Sequence, residues 1–160
     1  MLQHSRKGFT LVEILIVVII LGILAAIVIP QFTQASTEAR ISNLKTNLQT
    51  VRSQLLLFKV QHLESYPGAT FATQMTQYTD ISGDVATSPD ATHTFGPYLQ
   101  SIPVNPISNV NTLRIVTGAT TVFAAPTTDG GWWFNSTTGG FQADLKDSWA
   151  AADGSKYNTF

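Results

Sequence analysis

Residues 7–30 read KGFTLVEILIVVIILGILAAIVIP, and this stretch decides the fold of the chain. Within Phe9–Ile29 the only charged side chain is that of Glu13. As an α-helix these residues would extend about 31 Å, close to the thickness of the hydrocarbon layer of a bilayer. Arg6 and Lys7 precede the stretch, and cytoplasmic flanks of membrane helices are enriched in basic residues. The sequence therefore predicts one membrane-spanning helix, with a cytoplasmic N-terminus and the rest of the chain across the membrane.

A secretory signal peptide and a plain signal anchor are two simple explanations of the apolar stretch. A secretory signal peptide has an apolar region of about 7–15 residues, which is shorter than this run. A plain signal anchor fits the length but gives no reason for Glu13. An ionisable group inside a spanning helix costs roughly 2.5–3.5 kcal/mol on insertion scales. Glu13 is therefore a candidate functional residue, because something must offset that cost.

The residues around the start of the span carry a family resemblance. Residues 7–13, KGFTLVE, place a basic residue, Gly8, Phe9 and a glutamate in an order that resembles the processing signal of type IV pilins and type II secretion pseudopilins. The resemblance implies that a prepilin peptidase recognises the leader with Arg6 and Lys7, cuts between Gly8 and Phe9, and N-methylates Phe9. Glycine suits the scissile position because its backbone can approach a protease closely. The resemblance also implies that Glu13 pairs with the Phe9 amine of a neighbouring subunit during assembly.

Gly22 and Pro30 interrupt the helical preference of the span. Proline has no N–H to donate, and glycine is a weak helix former. The family resemblance implies that the helix breaks between these two positions in the filament. Ordinary tolerance of glycine and proline in membrane helices is the alternative explanation.

Beyond Pro30 the helical pattern continues with one apolar face. The spacing 3, 4, 3, 4, 3, 4 predicts an amphipathic helix, whose inner face consists of Ile41, Leu44, Leu48, Val51, Leu55, Phe58 and His62. The pattern ends at residues 65–68, SYPG, so a helix from Thr10 to Glu64 would extend roughly 80 Å. Leu56, Leu57 and Val60 widen the face, which favours packing on a sheet over a coiled-coil dimer.

The remaining residues predict short elements. Phe71, Met75 and Tyr78 suggest a short helix in residues 69–83, and residues 113–116 and 121–124 suggest strands. Residues 131–144 predict a hairpin around a Ser-Thr-Thr-Gly turn. Taken with the resemblance, this order predicts an α+β, pilin-like fold: a long N-terminal helix packed on a small antiparallel sheet. The expected division is a cleaved leader at 1–8, a transmembrane and assembly segment at 9–30, and a head at 31–160.

Composition excludes several classes of function. The chain has no cysteine, which rules out disulfides, cysteine-ligated zinc and thiol catalysis. A formal net charge of −1 gives no electrostatic reason to expect nucleic acid as a partner. No phosphate loop, nucleophile elbow or paired-carboxylate spacing is present. We therefore expect a non-enzymatic protein, with solvated acidic residues in the loops after Asp80. Of Trp132 and Trp133, on opposite faces of a strand, one should be core and the other an exposed contact.

The resemblance is closest to the major pseudopilin subfamily, general secretion pathway protein G. It is carried by Tyr66-Pro67 at the helix end and by residues 98–106, and it implies a subunit of a type II secretion pseudopilus. A type IV pilus subunit for adhesion, motility or DNA uptake is the alternative, and a membrane-anchored binding module with a ligand at Trp133 is another. The implied partners are further copies of the chain, the prepilin peptidase, an inner-membrane platform protein and an assembly ATPase.

The subfamily resemblance also raises the question of calcium. Such pseudopilins carry a calcium-binding loop near the C-terminus, and calcium takes six to eight oxygen ligands. Aspartates are present at 129, 144, 147 and 153, but their order does not assemble such a set. The metal ligands therefore remain unknown at this point, and no other cofactor is expected. The expected location is the inner membrane, with a periplasmic or extracellular head, and then a filament.

Overall fold

The computed structural model describes residues 8–151 and 153–160. The chain divides into two compact units, Met1–Ala39 and Arg40–Phe160, which we call the N-terminal unit and the C-terminal unit. The leader residues Arg6 and Lys7 lie outside the described residues.

A single long helix, α1, covers Leu11–Gln61 and confirms the helix that the sequence predicts. It includes Gly22 and Pro30 without a break. The hydroxyl of Thr33 donates to the carbonyl oxygen of Pro30 at 2.8 Å, a common bond of threonine inside helices. Both residues are thus accommodated in a helical single subunit, and the loss of helix between them in a filament stays a prediction.

The C-terminal unit adds one short helix, two small sheets and a final 3-10 turn. The elements after α1 are α2 (Phe71–Thr76), β1 (Tyr78–Thr79), β2 (Val85–Ala86), β3 (Leu113–Val116), β4 (Trp132–Asn135), β5 (Phe141–Ala143) and a 3-10 helix (Tyr157–Thr159). Strands β1 and β2 pair antiparallel. In the second sheet, β4 lies between β3 and β5, parallel to β3 and antiparallel to β5. The α+β pilin-like class is confirmed, with a mixed rather than purely antiparallel main sheet.

The inner face of α1 packs into the core of the C-terminal unit. Leu44, Leu48, Val51, Leu55 and Phe58 are each no more than 1% exposed. They share one core cluster with α2 and with the sheet residues Trp132, Phe134 and Phe141. Full burial of such a side chain stabilises the fold by about 1.5–3 kcal/mol. The face is covered by its own chain, which supports packing on a sheet over the coiled-coil alternative.

His62 closes this face as a packed residue, in agreement with the sequence. Its ring stacks on Phe58 with centroids 3.7 Å apart. Its Nδ1 lies 2.7 Å from the carbonyl oxygen of Phe58, and its Nε2 lies 3.0 Å from the hydroxyl of Thr79. Both ring nitrogens therefore have a partner inside the unit.

Leu56, Leu57 and Val60 do not widen the buried face, and this prediction is wrong. They are 58%, 44% and 73% exposed. A helix turns about 100° per residue, so a side chain one or two positions after Leu55 points away from the surface that Leu55 covers. These apolar side chains lie on the outside of α1.

The loop between β3 and β4 also differs from expectation. Residues 121–124 form no strand. Instead Phe123 packs edge-on against Trp133 with ring centroids 5.7 Å apart, and the guanidinium of Arg114 lies over the Phe123 ring. Trp133 is only 4% exposed as a result. The prediction of an exposed tryptophan contact is therefore wrong, because a loop of the chain covers the second face of β4.

Candidate assembly site

The start of the described chain is open on all sides. Phe9 is 84% exposed, and a Cβ placed on Gly8 would meet no described atom within 4 Å. The folded subunit itself therefore places no demand for glycine at this position. A requirement for Gly8 by a processing peptidase stays a prediction from the sequence.

Glu13 is held by Thr10 at the first turn of α1. The backbone N–H and the hydroxyl of Thr10 each lie 2.8 Å from Oε2 of Glu13. In return, the N–H of Glu13 donates to the Thr10 hydroxyl at 3.2 Å. This reciprocal arrangement is a capping box, which satisfies backbone donors that a helix start leaves unpaired. The contact fixes both the rotamer of Glu13 and the end of the helix.

The capping box leaves half of the Glu13 carboxylate available. All hydrogen bonds from Thr10 reach Oε2, and within residues 8–151 and 153–160 no donor reaches Oε1. The carboxylate also lies at the helix end where the backbone dipole favours negative charge. Sequence reasoning identified Glu13 but missed Thr10. The signal was present, since a threonine three positions before a glutamate ahead of an apolar run is the pattern of a capping box.

The surface around Glu13 is apolar and uncovered. Every large apolar side chain in 11–29 is exposed by 45% or more. Among the described residues, α1 is the one helix that is long and apolar enough to cross a membrane. No described side chain covers this surface, so lipid or other protein molecules must do so.

A second apolar surface lies on the C-terminal unit. It consists of Leu56, Leu57, Val60 and Leu63 on the outside and at the end of α1, and we call it the outer stripe. Leu63 is 74% exposed and has a φ of 51°, in the left-handed region that costs a non-glycine residue about 1–2 kcal/mol. Leu56, Leu57 and Val60 are neighbours at helical spacing, and exposed apolar side chains grouped in this way are typical of protein or membrane contacts.

The aspartates near the C-terminus do not fit a calcium site. Within the described residues, no three acidic or metal-binding side chains come together. Asp144, Asp129 and Asp147 each pair with a different basic residue, respectively Arg114, Lys146 and Lys156. Asp144 is also buried, which corrects the expectation of solvated carboxylates in these loops. These three carboxylates are therefore already engaged with cations of the chain, and that of Asp153 accepts hydrogen bonds from the N–H and the hydroxyl of Ser155.

A cleft of about 260 Å³ lies between α1 and the β4–β5 hairpin. The one charged side chain that lines it is Arg52. Its Nε and Nη2 donate to the carbonyl oxygen of Phe141 at 3.0 and 2.8 Å, and Nη2 also donates to that of Phe160. This guanidinium is a structural link between helix and sheet.

Comparison with known proteins finds a known motif at the start of the chain and a relative from a secretion system. The prokaryotic N-terminal methylation motif matches residues 3–29. The type II secretion system core protein G of Pseudomonas aeruginosa is 30% identical over 109 residues, which cover 68% of this chain and 73% of that protein. No solved structure gives a significant match.

Type IV pilins are similar over shorter stretches. The type IV major pilin protein PilA of Myxococcus xanthus is 33% identical over 57% of this chain and 36% of its own length. The type IV major fimbrial protein FimA of Dichelobacter nodosus is 42% identical over 34% of this chain and 35% of its own length. The chain thus spans about a third of these two pilins and nearly three quarters of the secretion protein.

Proposed function

The chain belongs to the family of type IV pilins and type II secretion pseudopilins, and from this premise we propose that it is the major subunit of a type II secretion pseudopilus. In this role it is a structural protein rather than an enzyme. It is anchored in the inner membrane by residues 9–30, with its N-terminus in the cytoplasm and residues 31–160 as a periplasmic or extracellular head. Residues 1–8 are the leader that the prepilin peptidase removes.

The observation that carries the proposal is the capped carboxylate of Glu13 in an otherwise apolar, uncovered helix. Cleavage between Gly8 and Phe9 would create a cationic amine at the same helix end. A carboxylate and an amine attract each other far more strongly in an apolar environment than in water. The Oε1 atom of Glu13 is available to accept this bond from the Phe9 amine of a neighbouring subunit, while Oε2 keeps the helix cap.

The outer stripe supports polymerisation in a particular geometry. A contact between the stripe of one copy and the exposed apolar helix of the next uses two different surfaces. Such heterologous contacts build open helical filaments when the rotation between copies does not close into a ring, whereas a stripe-to-stripe contact would close a symmetric dimer. The chain therefore has the surfaces that a filament needs, and a platform protein and an assembly ATPase would add the subunits.

The share of each chain that is matched favours the pseudopilus over the pilus. The similarity to the secretion protein extends over 68% of this chain, and that to the two pilins over 57% and 34%. The type IV pilus subunit is the second candidate, because the similarity to the Myxococcus pilin reaches beyond the N-terminal helix. A binding module with a ligand at Trp133 is not supported, since that side chain is buried.

The test of the proposal is assembly of a Glu13→Leu variant in the native host. Removing the charge should leave membrane insertion and cleavage intact, so intact mass should show loss of residues 1–8 and one added methyl group. Filaments should be absent or sharply reduced. Glu38→Leu changes an exposed glutamate of the same helix outside the apolar run and is the matched control, with normal filaments expected. Normal filaments from Glu13→Leu would contradict the proposal.

Deletion of the gene separates the two candidate filaments. Loss of exported proteins from the culture medium would support a pseudopilus. Loss of surface pili, twitching or DNA uptake with normal export would show a type IV pilus subunit instead.

A further inference from the structure

Arg114, whose side chain is 38% exposed, links β3 to two later segments in the C-terminal half (residues 100–160) of the C-terminal unit. Its Nε lies 3.1 and 3.0 Å from the two carboxylate oxygens of Asp144, and its Nη2 also donates to Oδ1. The same Nη2 donates to the carbonyl oxygen of Ala124 at 2.9 Å. We infer that this guanidinium is the cation that closes this half of the unit, so that the chain folds without the calcium that its resemblance to the pseudopilins suggests.

The three segments that Arg114 joins are distant in sequence. Arg114 itself belongs to β3, Ala124 to the loop that covers β4, and Asp144 follows β5. A calcium ion bound by a carboxylate and backbone carbonyls would join segments in the same way. The arginine does so as a fixed part of β3, with a planar fork that matches a carboxylate.

Asp144 is enclosed so that a metal would have to displace the arginine. The residue is 5% exposed. Its backbone is bonded to the loop before β4, with the N–H of Gly130 donating to its carbonyl at 2.7 Å and its own N–H donating to Gly131 at 3.2 Å. Even a Cβ on Gly130 would come within 2.8 Å of Oδ2. A buried carboxylate without a cation is costly, and Arg114 supplies that cation.

The neighbouring aspartates follow the same pattern. Oδ1 of Asp129 accepts a hydrogen bond from the N–H of Lys146 at 2.9 Å, and the Lys146 ammonium lies 3.8 Å from Oδ2. Asp147 is bonded to the amide of Asn158 and to the ammonium of Lys156, both at 3.0 Å. These two contacts hold the pKa of Asp147 below its usual value. Each carboxylate thus has its own partner from the chain.

The inference is tested on the full-length chain in detergent micelles, by thermal melting followed by tryptophan fluorescence. All three tryptophans, Trp132, Trp133 and Trp149, belong to the C-terminal unit, so the signal reports on that unit. Melts in excess EGTA and in millimolar calcium should have the same midpoint. A saturable rise with calcium, roughly 5 °C or more for a site well above its Kd, would overturn the inference.

The second arm changes the arginine itself. Arg114→Met keeps the length of the side chain and removes the charge, and it should lower the midpoint by roughly 5–10 °C because Asp144 loses its cation. Arg114→Lys should recover part of the loss, since an ammonium restores charge but not the fork. Arg40→Met is the control, because Arg40 makes one long bond of 3.4 Å to the carbonyl of Pro106. An Arg114→Met midpoint equal to that of Arg40→Met would show that the guanidinium does not close the unit.

Discussion

The two parts of α1 have the same backbone conformation but opposite side-chain environments. Before Ala39, the large apolar side chains of residues 11–29 are all exposed in the subunit. After Arg40, the inner face of the same helix is almost completely buried against its own chain. The sequence shows this difference as a uniform apolar run followed by apolar residues that recur with the helical period of 3.6 residues. A periodic helix finds its environment within the chain, and a uniformly apolar helix must receive it from lipid or other copies.

The buried inner face of α1 should be the part of the helix most sensitive to substitution. Phe58→Ala removes a ring that is 1% exposed and stacks on His62. It should lower the free energy of unfolding of the C-terminal unit by about 3–5 kcal/mol. Denaturant unfolding followed by tryptophan fluorescence measures this. Val17→Ala, on the exposed part of α1, is the control and should leave the same transition unchanged. Equal effects of the two changes would remove the distinction between the two parts of the helix.

Packing near the end of α1 should respond to a single methyl group. Gly139 has a φ of 75°, and a Cβ there would overlap the ring of Tyr66. Gly154 has a φ of 83°, but its Cβ position has no described atom within 4 Å. Both Gly→Ala changes strain the backbone. The additional loss of stability at Gly139 therefore measures the clash with the Tyr66 ring alone. We expect about 1–3 kcal/mol more destabilisation for Gly139→Ala than for Gly154→Ala. Equal losses would show that the Tyr66 ring moves away without cost.

Substitutions in the outer stripe should affect filament assembly rather than folding, as we expect for the exposed apolar part of α1. The double change Leu56→Ser and Val60→Ser affects exposed side chains, so unfolding should shift by no more than about 0.5 kcal/mol. Filament yield should nevertheless fall, because these side chains lack a partner within the subunit. Val122→Ser, at another exposed apolar residue, is the control. Normal filament yield from the double variant would remove the stripe from the assembly contact.

The carboxyl group of Asp90, in an exposed loop, should titrate at an unusually low pH. The backbone N–H groups of His93 and Thr92 donate to its carboxylate at 2.8 and 2.7 Å and hold its pKa well below the usual range. Because the folded-state pKa is lowered, this contribution to stability is present above about pH 4 and is lost as the pH falls through the folded value. Carboxyl NMR should show that Asp90 is still ionised near pH 4. His93→Ala should keep the pKa low, and a midpoint near the ordinary value in either protein would contradict this geometry.

Sequence reasoning succeeded where the deciding interactions are local. The period of α1 identified Leu44, Leu48 and Phe58 as core, and the turn residues identified the β4–β5 hairpin. The apolar run with Glu13 identified the candidate assembly residue. Each of these depends on residues within a few positions of one another.

It failed where distant segments meet. Trp133 is buried because Phe123, ten positions earlier, folds over it, and the buried carboxylate of Asp144, just after β5, is neutralised by Arg114 of β3. No local pattern marks either pair. Leu56 was wrongly assigned to the buried face. In sequence, an apolar residue next to a buried face cannot be told from a core residue, because the width of the surface that covers the helix is not known.

The structure of the assembled filament at side-chain resolution tests most directly whether Glu13 pairs with a neighbouring subunit. We expect the Phe9 amine of one subunit to lie within hydrogen-bond distance, about 2.7–3.2 Å, of the Glu13 carboxylate of its neighbour. We also expect the bonds between Thr10 and Glu13 to persist. A filament in which Glu13 contacts only Thr10 of its own chain, with the neighbouring Phe9 amine elsewhere, would show that the two groups do not pair.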